Sequence, residues 1–452
     1  MTLADDADLT ETLETIDRWV AYRVWHSRLP GAQVAIGRHG RIELSRAYGL
    51  ADVDRAIPLR TDHLFRIASH SKTFTATAVL RLVEQDRLRL EDRLGDLVPE
   101  LADDPIGRAV VRELLEHTSG ALRDGLDGDF WQGQRPFPDR VELLDMARVP
   151  PKSEPGERFS YSNLGYGLLG LVIEAVTRTS YVDAMSELVV GPLGLTATSA
   201  CYRPDRAGDY ATGHSGLHTA TRRRPIASVD TAALDAATGF SSTAEDLVSY
   251  FGAHAFGDGR LLSDRSKRLM QRRANLSDQR KPEGAWYGLG MAGESVEDHR
   301  MTGHGGGYPG HSSRTLLDPE TGLVVSVMTN AIDGPASSLA TGILTLLDDA
   351  REHPAEPTAD GPARRGLGRW GNLWAAIDLG VVGGRVRPLQ LPGWDPLEGS
   401  DVLEPTAFGY RIVEGNGYGS LGERVVVGDD DVLRYGSMTY RRLDELPGQT
   451  EA

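Results

Sequence analysis

The sequence predicts an α/β fold: an antiparallel sheet with flanking helices and a helical subdomain, followed by a small all-β domain. Three observations carry this. Strand-patterned runs cluster near residues 32–48 and again near 313–329. Helical spacing and long loops fill most of the chain between them. A stretch rich in Pro, Ala and charge, 351–366, is followed by short strands parted by Gly, Asp and Pro turns. One sheet built from both ends of residues 1–350, a linker over 351–366 and a β domain over 367–452 account for all three.

The elements follow in order. Leu9, Leu13, Ile16, Val20 and Val24 recur at helical spacing, so 9–25 is a helix. Residues 32–36 and 41–48 are strands about a His39-Gly40 hairpin turn. Residues 65–68 are short and extended. Ala76, Val79, Leu80 and Val83 share one face of a helix over 70–86. Residues 165–177 form an apolar helix, and Thr243 is an N-cap signal for a helix over 243–257. Strands 313–317 and 323–329 flank the turn 318–322, and 336–350 is a last helix. In the tail, 425–427, 432–435 and 438–441 are strands. No internal repeat is present.

Composition narrows the function classes. The 452 residues carry a formal net charge of −16, which disfavours binding to phosphate backbones, so no nucleic-acid partner is expected. A single cysteine, Cys201, permits no intrachain disulfide. The first 17 residues are acidic with no apolar segment, and the longest apolar run, 167–176, is about half a membrane span. The expectation is a cytoplasmic protein with no membrane partner. Only four of the 49 basic residues are lysines: Lys72, Lys152, Lys267 and Lys281. A lysine in this chain signals chemistry beyond plain charge.

Several patterns fail their context test. G-x-G-x-x-G occurs at Gly305-Gly307-Gly310 and Gly417-Gly419-Gly422, but neither follows a strand and opens a helix. His214 and His218 lie four apart, yet Gly213 and Gly216 argue against a helix there and no third ligand stands near. No cofactor and no metal are expected.

Three patterns hold. Ser69-His70-Ser71-Lys72 opens the 70–86 helix, and residues three apart share a helical face, so the Ser69 hydroxyl and the Lys72 amine come within reach. Arginine could not serve there as a base, because it stays protonated. Ser71, adjacent to Lys72, faces elsewhere. Alone, the pattern also reads as a Ser N-cap beside a solvated Lys. Tyr161-Ser162-Asn163 precedes the apolar helix; in an extended loop Tyr161 and Asn163 face the same way. A phenol beside a cationic lysine loses its proton below its usual pKa of about 10 and could act as a base. The third pattern is the glycine-rich run 303–310, with His304, Gly305 and Gly306 facing a cleft. Here His304 is expected to hydrogen-bond Tyr161 or a substrate.

With these three patterns in this order, the sequence resembles the penicillin-recognising serine hydrolases. That family includes class C β-lactamases, DD-peptidases, D-aminopeptidases, family VIII esterases and some acyltransferases. Residues 114–120 (LLEHTSG) and 238–247 (TGFSSTAEDL) look like two of its structural signatures. The resemblance covers about 15–350 and implies a β-lactamase/transpeptidase-like fold; the tail resembles a lipocalin-like domain that some members carry. It implies Ser69 as nucleophile, Lys72 as base or base-tuner and Tyr161 as base, with Asn163 orienting the substrate or Lys72. Backbone N–H groups of Ser69 and of the strand after His304 would form the oxyanion hole. His117 reads as structural.

One departure bears on substrate. β-Lactamases and DD-peptidases of the family carry Lys-Thr-Gly where this chain has His304-Gly305-Gly306. The cation and hydroxyl that hold a substrate carboxylate are both gone. The expected function is therefore a serine hydrolase of small-molecule or peptide esters or amides, D-aminoacyl ones included, acting through an acyl-enzyme. The alternatives are an acyltransferase or peptide-macrocyclising thioesterase, a β-lactamase or DD-peptidase, and a sensor that acylates without turnover.

Overall fold

The computed structural model describes residues 6–218, 220–278, 284–296, 299–353, 364–415 and 420–443. Most of the expected linker, 354–363, and two glycines of the second G-x-G-x-x-G pattern, Gly417 and Gly419, lie outside them, as does Lys281. The chain divides into two compact units, residues 30–337 and residues 1–29 with 338–452.

The first unit is built on a nine-stranded antiparallel sheet. Its order is Ile57–Pro58, Arg41–Asp52, Gly31–Arg38, Leu323–Thr329, His311–Leu317, His299–Tyr308, Ala292–Val296, Ala285–Tyr287 and Asn275–Leu276. The sheet is thus made from both ends of the unit, as the spacing of the strand runs predicts. Gly31–Arg38 is flanked by one strand from each end: Val34 pairs with Arg46 on one side and Val327 on the other. Its link to Arg41–Asp52 is a two-residue turn in which His39 and Gly40 take φ of 49° and 78°, the positive values a tight hairpin requires. Thr243 caps the helix Ala244–Gly252, accepting from the Asp246 N–H at 3.3 Å. Leu247, Val248 and Phe251 of that helix are fully buried. The helix stops at Gly252, five residues short of its expected end, where the Ala253 N–H closes onto Ser249 and Tyr250 carbonyls.

The middle of the unit is helical. Ser71–Glu84 and Asn163–Thr177 are its main helices, and residues 71–80 of the first are buried throughout. A helix hidden on every side needs no polar face, and its four threonines and serines satisfy their hydroxyls internally: Thr73 on the His70 carbonyl, Thr77 on Thr73, Thr75 on Ala236 and Ser71 on Ala68. The expected start of this helix changes character. Residues 68–70 form a single 3-10 turn, and only Phe65–Arg66 of the 65–68 segment is extended.

The second unit contains the helix Asp6–His26 and an eight-stranded antiparallel sheet curled into a near-barrel, which agrees with the lipocalin-like reading of the tail. Trp370, Leu379, Ile412, Val425 and Leu433 fill its core. Thr15 Oγ1 donates to the Val381 carbonyl at 2.9 Å, and Arg18 pairs with the fully buried Asp378 at 3.1 Å, so the helix is keyed to the β domain by polar contacts. No helix among the described residues is long and apolar enough to cross a membrane.

Candidate active site

Three stretches far apart in sequence meet at one cleft of about 440 Å3, lined by Ser69, Asp124, Trp131, Tyr161, Asn163 and Gly307, with Arg123 at its edge. The first stretch is the turn into the Ser71–Glu84 helix. Ala68 takes φ 47°, a left-handed conformation rare for a residue with a side chain, and the backbone bends sharply there. Ser69 is left on the cleft wall. Ser71 is turned inward: its Oγ donates to the Ala68 carbonyl at 2.6 Å and accepts from the Phe240 N–H at 3.0 Å. One helical step on, Lys72 is fully buried. Its Nζ lies 3.2 Å from Ser69 Oγ and donates to Asn163 Oδ1 at 2.7 Å and the Ala237 carbonyl at 2.8 Å.

The second stretch is the loop before the Asn163–Thr177 helix. Ser162 caps that helix through the Gly165 N–H at 2.8 Å and donates its hydroxyl to the Leu122 carbonyl at 2.6 Å. His117, itself at φ 61°, grips the same loop twice. Its carbonyl accepts from Ser160 N–H at 2.7 Å, and its Nδ1 accepts from Ser162 N–H at 3.1 Å. The His117 ring packs on Tyr161 with centroids 4.3 Å apart. The structural reading of His117 therefore has a concrete content: it sets the loop. Held this way, Tyr161 donates its O–H to Ser69 Oγ at 2.9 Å.

The third stretch is the strand His299–Tyr308. Ala292–Val296 pairs with it only as far as Gly303, so from His304 onward that edge is open toward Ser69. Antiparallel alternation from the Tyr308 and His311 pair directs the Gly307 N–H to the open edge. Gly306 lies so close to the 3-10 turn that a Cβ there would collide with the Ile67 carbonyl oxygen. Gly306 thus lets the strand press against the turn that carries Ser69, whereas a Cβ at Gly305 would meet only Arg314 and Ser313 of the neighbouring strand.

Asp124 was not legible in the sequence. Its Oδ1 accepts from Asn163 Nδ2 at 2.7 Å and from Trp131 Nε1 at 2.9 Å. By holding the amide nitrogen of Asn163, it presents the amide oxygen to Lys72. The loop bearing Asp124 is fixed where the Asn163 and Leu164 N–H groups both reach the Arg123 carbonyl. No local pattern marks such a residue; only the folded loop brings it to Asn163.

Burial governs the electrostatics. Loss of hydration pulls the Lys72 amine well below its ordinary value, against the nearby Asp124 charge, which pulls it up. The same loss pushes the Tyr161 phenol above its ordinary value. The expectation of a phenol acidified by a cationic lysine is thus corrected: desolvation is the largest influence on the phenol and raises it, outweighing the hydrogen bond to Ser69 and the charge of Arg123, which lower it. Burial thus disfavours both charged forms, the Lys72 ammonium and the Tyr161 phenolate.

The expected partner of His304 is also corrected. His304 is 5% exposed, its Nε2 lies 3.1 Å from the Tyr287 hydroxyl, and its Nδ1 lies 2.6 Å from the Gly305 carbonyl. Burial, followed by the effect of His70, holds it far below the usual imidazole range, so it is neutral. It neither bonds Tyr161 nor supplies a cation. Arg314, beside Gly305, is paired with Glu294.

A model of the β-lactamase family matches residues 16–348. The chain belongs to that family. Protein flp of Staphylococcus aureus strain N315 is 28% identical over 330 residues, 71% of this chain and 63% of that protein. The chain spans about 63% of the length of such curated relatives. Among solved structures, the octameric penicillin-binding protein homologue from Pyrococcus abyssi superposes with a TM-score of 0.68 at 22% identity, covering 95% of this chain and 99% of that one. The D-amino acid amidase from Ochrobactrum anthropi SV3 gives 0.64 at 24% identity, covering 75% and 99%. These two show the shared fold.

The close approach of strand and turn yields a test. Gly306→Ala forces the strand and the Ser69 turn apart, and should cost about 1–3 kcal/mol, the usual penalty for overpacking. Urea unfolding followed by circular dichroism measures it; an unchanged midpoint and slope would show that the two backbones are not in contact.

Proposed function

We propose that this chain is a serine hydrolase of esters or amides that works through an acyl-enzyme on Ser69. The observation that carries the reading is the placement of Ser69 Oγ between Lys72 Nζ at 3.2 Å and the Tyr161 hydroxyl at 2.9 Å, at the wall of an open cleft. Membership of the β-lactamase family and the shared fold with a D-amino acid amidase support the chemistry.

The directions in which burial moves Lys72 and Tyr161 support one division of roles. Neutral Lys72 accepts the Ser69 proton as Oγ attacks the scissile carbonyl. The Ser69 and Gly307 N–H groups receive the oxyanion. Tyr161, still carrying its proton, gives it to the departing alcohol or amine, and the ammonium now at Lys72 makes good the loss. Water then attacks the acyl-enzyme by the reverse sequence and restores Ser69. Asn163 holds Lys72 toward Oγ and also faces the cleft, where it can meet a substrate amide. His304, Gly305 and Gly306 act through the shape of the strand and through Tyr287, not as a carboxylate anchor. The substrates are accordingly esters or amides that need no carboxylate next to the scissile bond, and penicillin is a poor one.

A fluorophosphonate probe should label wild-type protein once, and peptide mass spectrometry should place the label on Ser69. Ser69→Ala should abolish both labelling and turnover of p-nitrophenyl acetate. A label on Ser71, or ester turnover surviving in Ser69→Ala, would overturn the assignment.

The pH dependence has a defined sign. If neutral Lys72 is the base, kcat/KM rises with pH as the ammonium deprotonates, and this limb lies well below the ordinary amine value of 10.5. Asp124 raises the Lys72 pKa, so Asp124→Asn, which keeps an acceptor oxygen for Asn163, should move the limb to lower pH. Profiles of p-nitrophenyl acetate hydrolysis for the two proteins decide it. A limb that moves to higher pH would contradict the assigned base.

A further inference from the structure

Beside the catalytic cleft lies a second cavity of about 510 Å3, in the range of pockets that enclose small organic ligands. Trp131 and Gly307 line both spaces, so the two are neighbours. The second is different in character. Trp131 and Phe137, which stand edge to face with centroids 5.1 Å apart, line it together with Ile226, Val229, Tyr308 and Ile332.

Two features mark this chamber as built for an occupant. Val229 and Ile332 are 42% and 38% exposed, so apolar side chains are left open to water at a concave surface. The wall is also held firmly. The Tyr308 hydroxyl donates to the Val229 carbonyl at 3.0 Å and accepts from the Val229 N–H at 3.0 Å. Arg66, 1% exposed, donates to the same carbonyl at 2.7 Å and lies 4.4 Å from the centre of the Tyr308 ring. Farther along the loop, the Leu217 N–H reaches Asp333 at 3.0 Å and Arg223 pairs with Asp333. A buried guanidinium thus ties one carbonyl of the loop that lines the chamber.

Resting on the acyl-enzyme reading above, we infer that this chamber receives a large apolar acyl substituent, aryl-alkyl or branched alkyl, of the ester or amide. The acyl side is the one that fits. The leaving group must depart before water can attack, whereas the acyl group stays through both steps, so an apolar surface beside Ser69 contributes throughout the reaction only if it holds the acyl group. Apolar side chains around the scissile carbonyl would then set specificity, in place of the missing carboxylate anchor.

The experiment compares p-nitrophenyl 3-phenylpropionate with p-nitrophenyl acetate, and phenethyl acetate with ethyl acetate. Burial of the phenyl group predicts that wild-type kcat/KM is roughly ten- to hundredfold higher for the phenylpropionate than for the acetate. Ile226→Trp and Ile332→Trp, which fill the chamber from its rim, should each reduce that ratio at least fivefold. A wild-type ratio near one, a preference seen only on the alcohol side, or a ratio untouched by either substitution would overturn the chamber inference while leaving the hydrolase reading intact. Absence of any ester turnover or fluorophosphonate labelling in wild type would overturn both.

Discussion

The site depends on one constraint: a lysine amine held out of water against hydrogen-bond acceptors. Taking an ammonium from water into a protein interior costs several kcal/mol even after relaxation, and a tenfold change in a protonation equilibrium corresponds to about 1.4 kcal/mol. That cost pulls the Lys72 pKa well below its ordinary value, and a neutral amine is what the proposed proton transfer from Ser69 requires. Asn163 Oδ1 and the Ala237 carbonyl accept two N–H bonds, so in the proposed base form the lone pair is left for the Ser69 proton. The preference for arginine elsewhere in the chain makes the point by contrast, since a guanidinium buried here would remain charged.

Other parts of the first unit can be understood as holding that amine in place. The buried Ser71–Glu84 helix fixes its stem. Asp124 orients the Asn163 amide, and the Leu122 carbonyl and His117 fix the loop on either side of Tyr161. Behind Ser69, the buried His70 ring spans from the Ile67 carbonyl, at 3.1 Å, to Thr315 of the sheet, at 3.0 Å. Burial holds it neutral, with its pKa lowered to about 3, so this tie between turn and sheet keeps its form across the working pH range. The strained Ala68 conformation is retained because turn, sheet and helix all determine it together.

Much of this is legible in the sequence alone. Helical period, strand alternation and the Thr243 cap locate the main elements, because each reports a local preference that the fold respects. Ser69, Tyr161 and Asn163 do line one cleft with Lys72 bonded behind them, and the spacings of three and of two that place each pair are local backbone geometry; of the glycine-rich run it is Gly307, not the expected His304, Gly305 and Gly306, that lines the cleft. What escapes are contacts made by chain folding over long separations. Asp124 reaches Asn163 from 39 residues away, and Tyr287 reaches His304 from 17. The directions in which the Lys72 and Tyr161 pKa values move escape as well, because a sequence shows which charges are present but not how dry they are. A histidine in this glycine-rich strand is expected to face the cleft; His304 is instead buried and packs with Tyr287.

The protonation state of Lys72 is the quantity that decides between these roles and any other. With only four lysines, protein carrying 15N at lysine Nζ gives a small set of side-chain signals, and Lys72→Arg assigns one of them. Titrated by NMR, the Lys72 signal should show the amine losing its proton well below the ordinary value of 10.5. A Lys72 signal that stays that of an ammonium up to or beyond that value would contradict the assigned base, and would leave Ser69 without its proton acceptor.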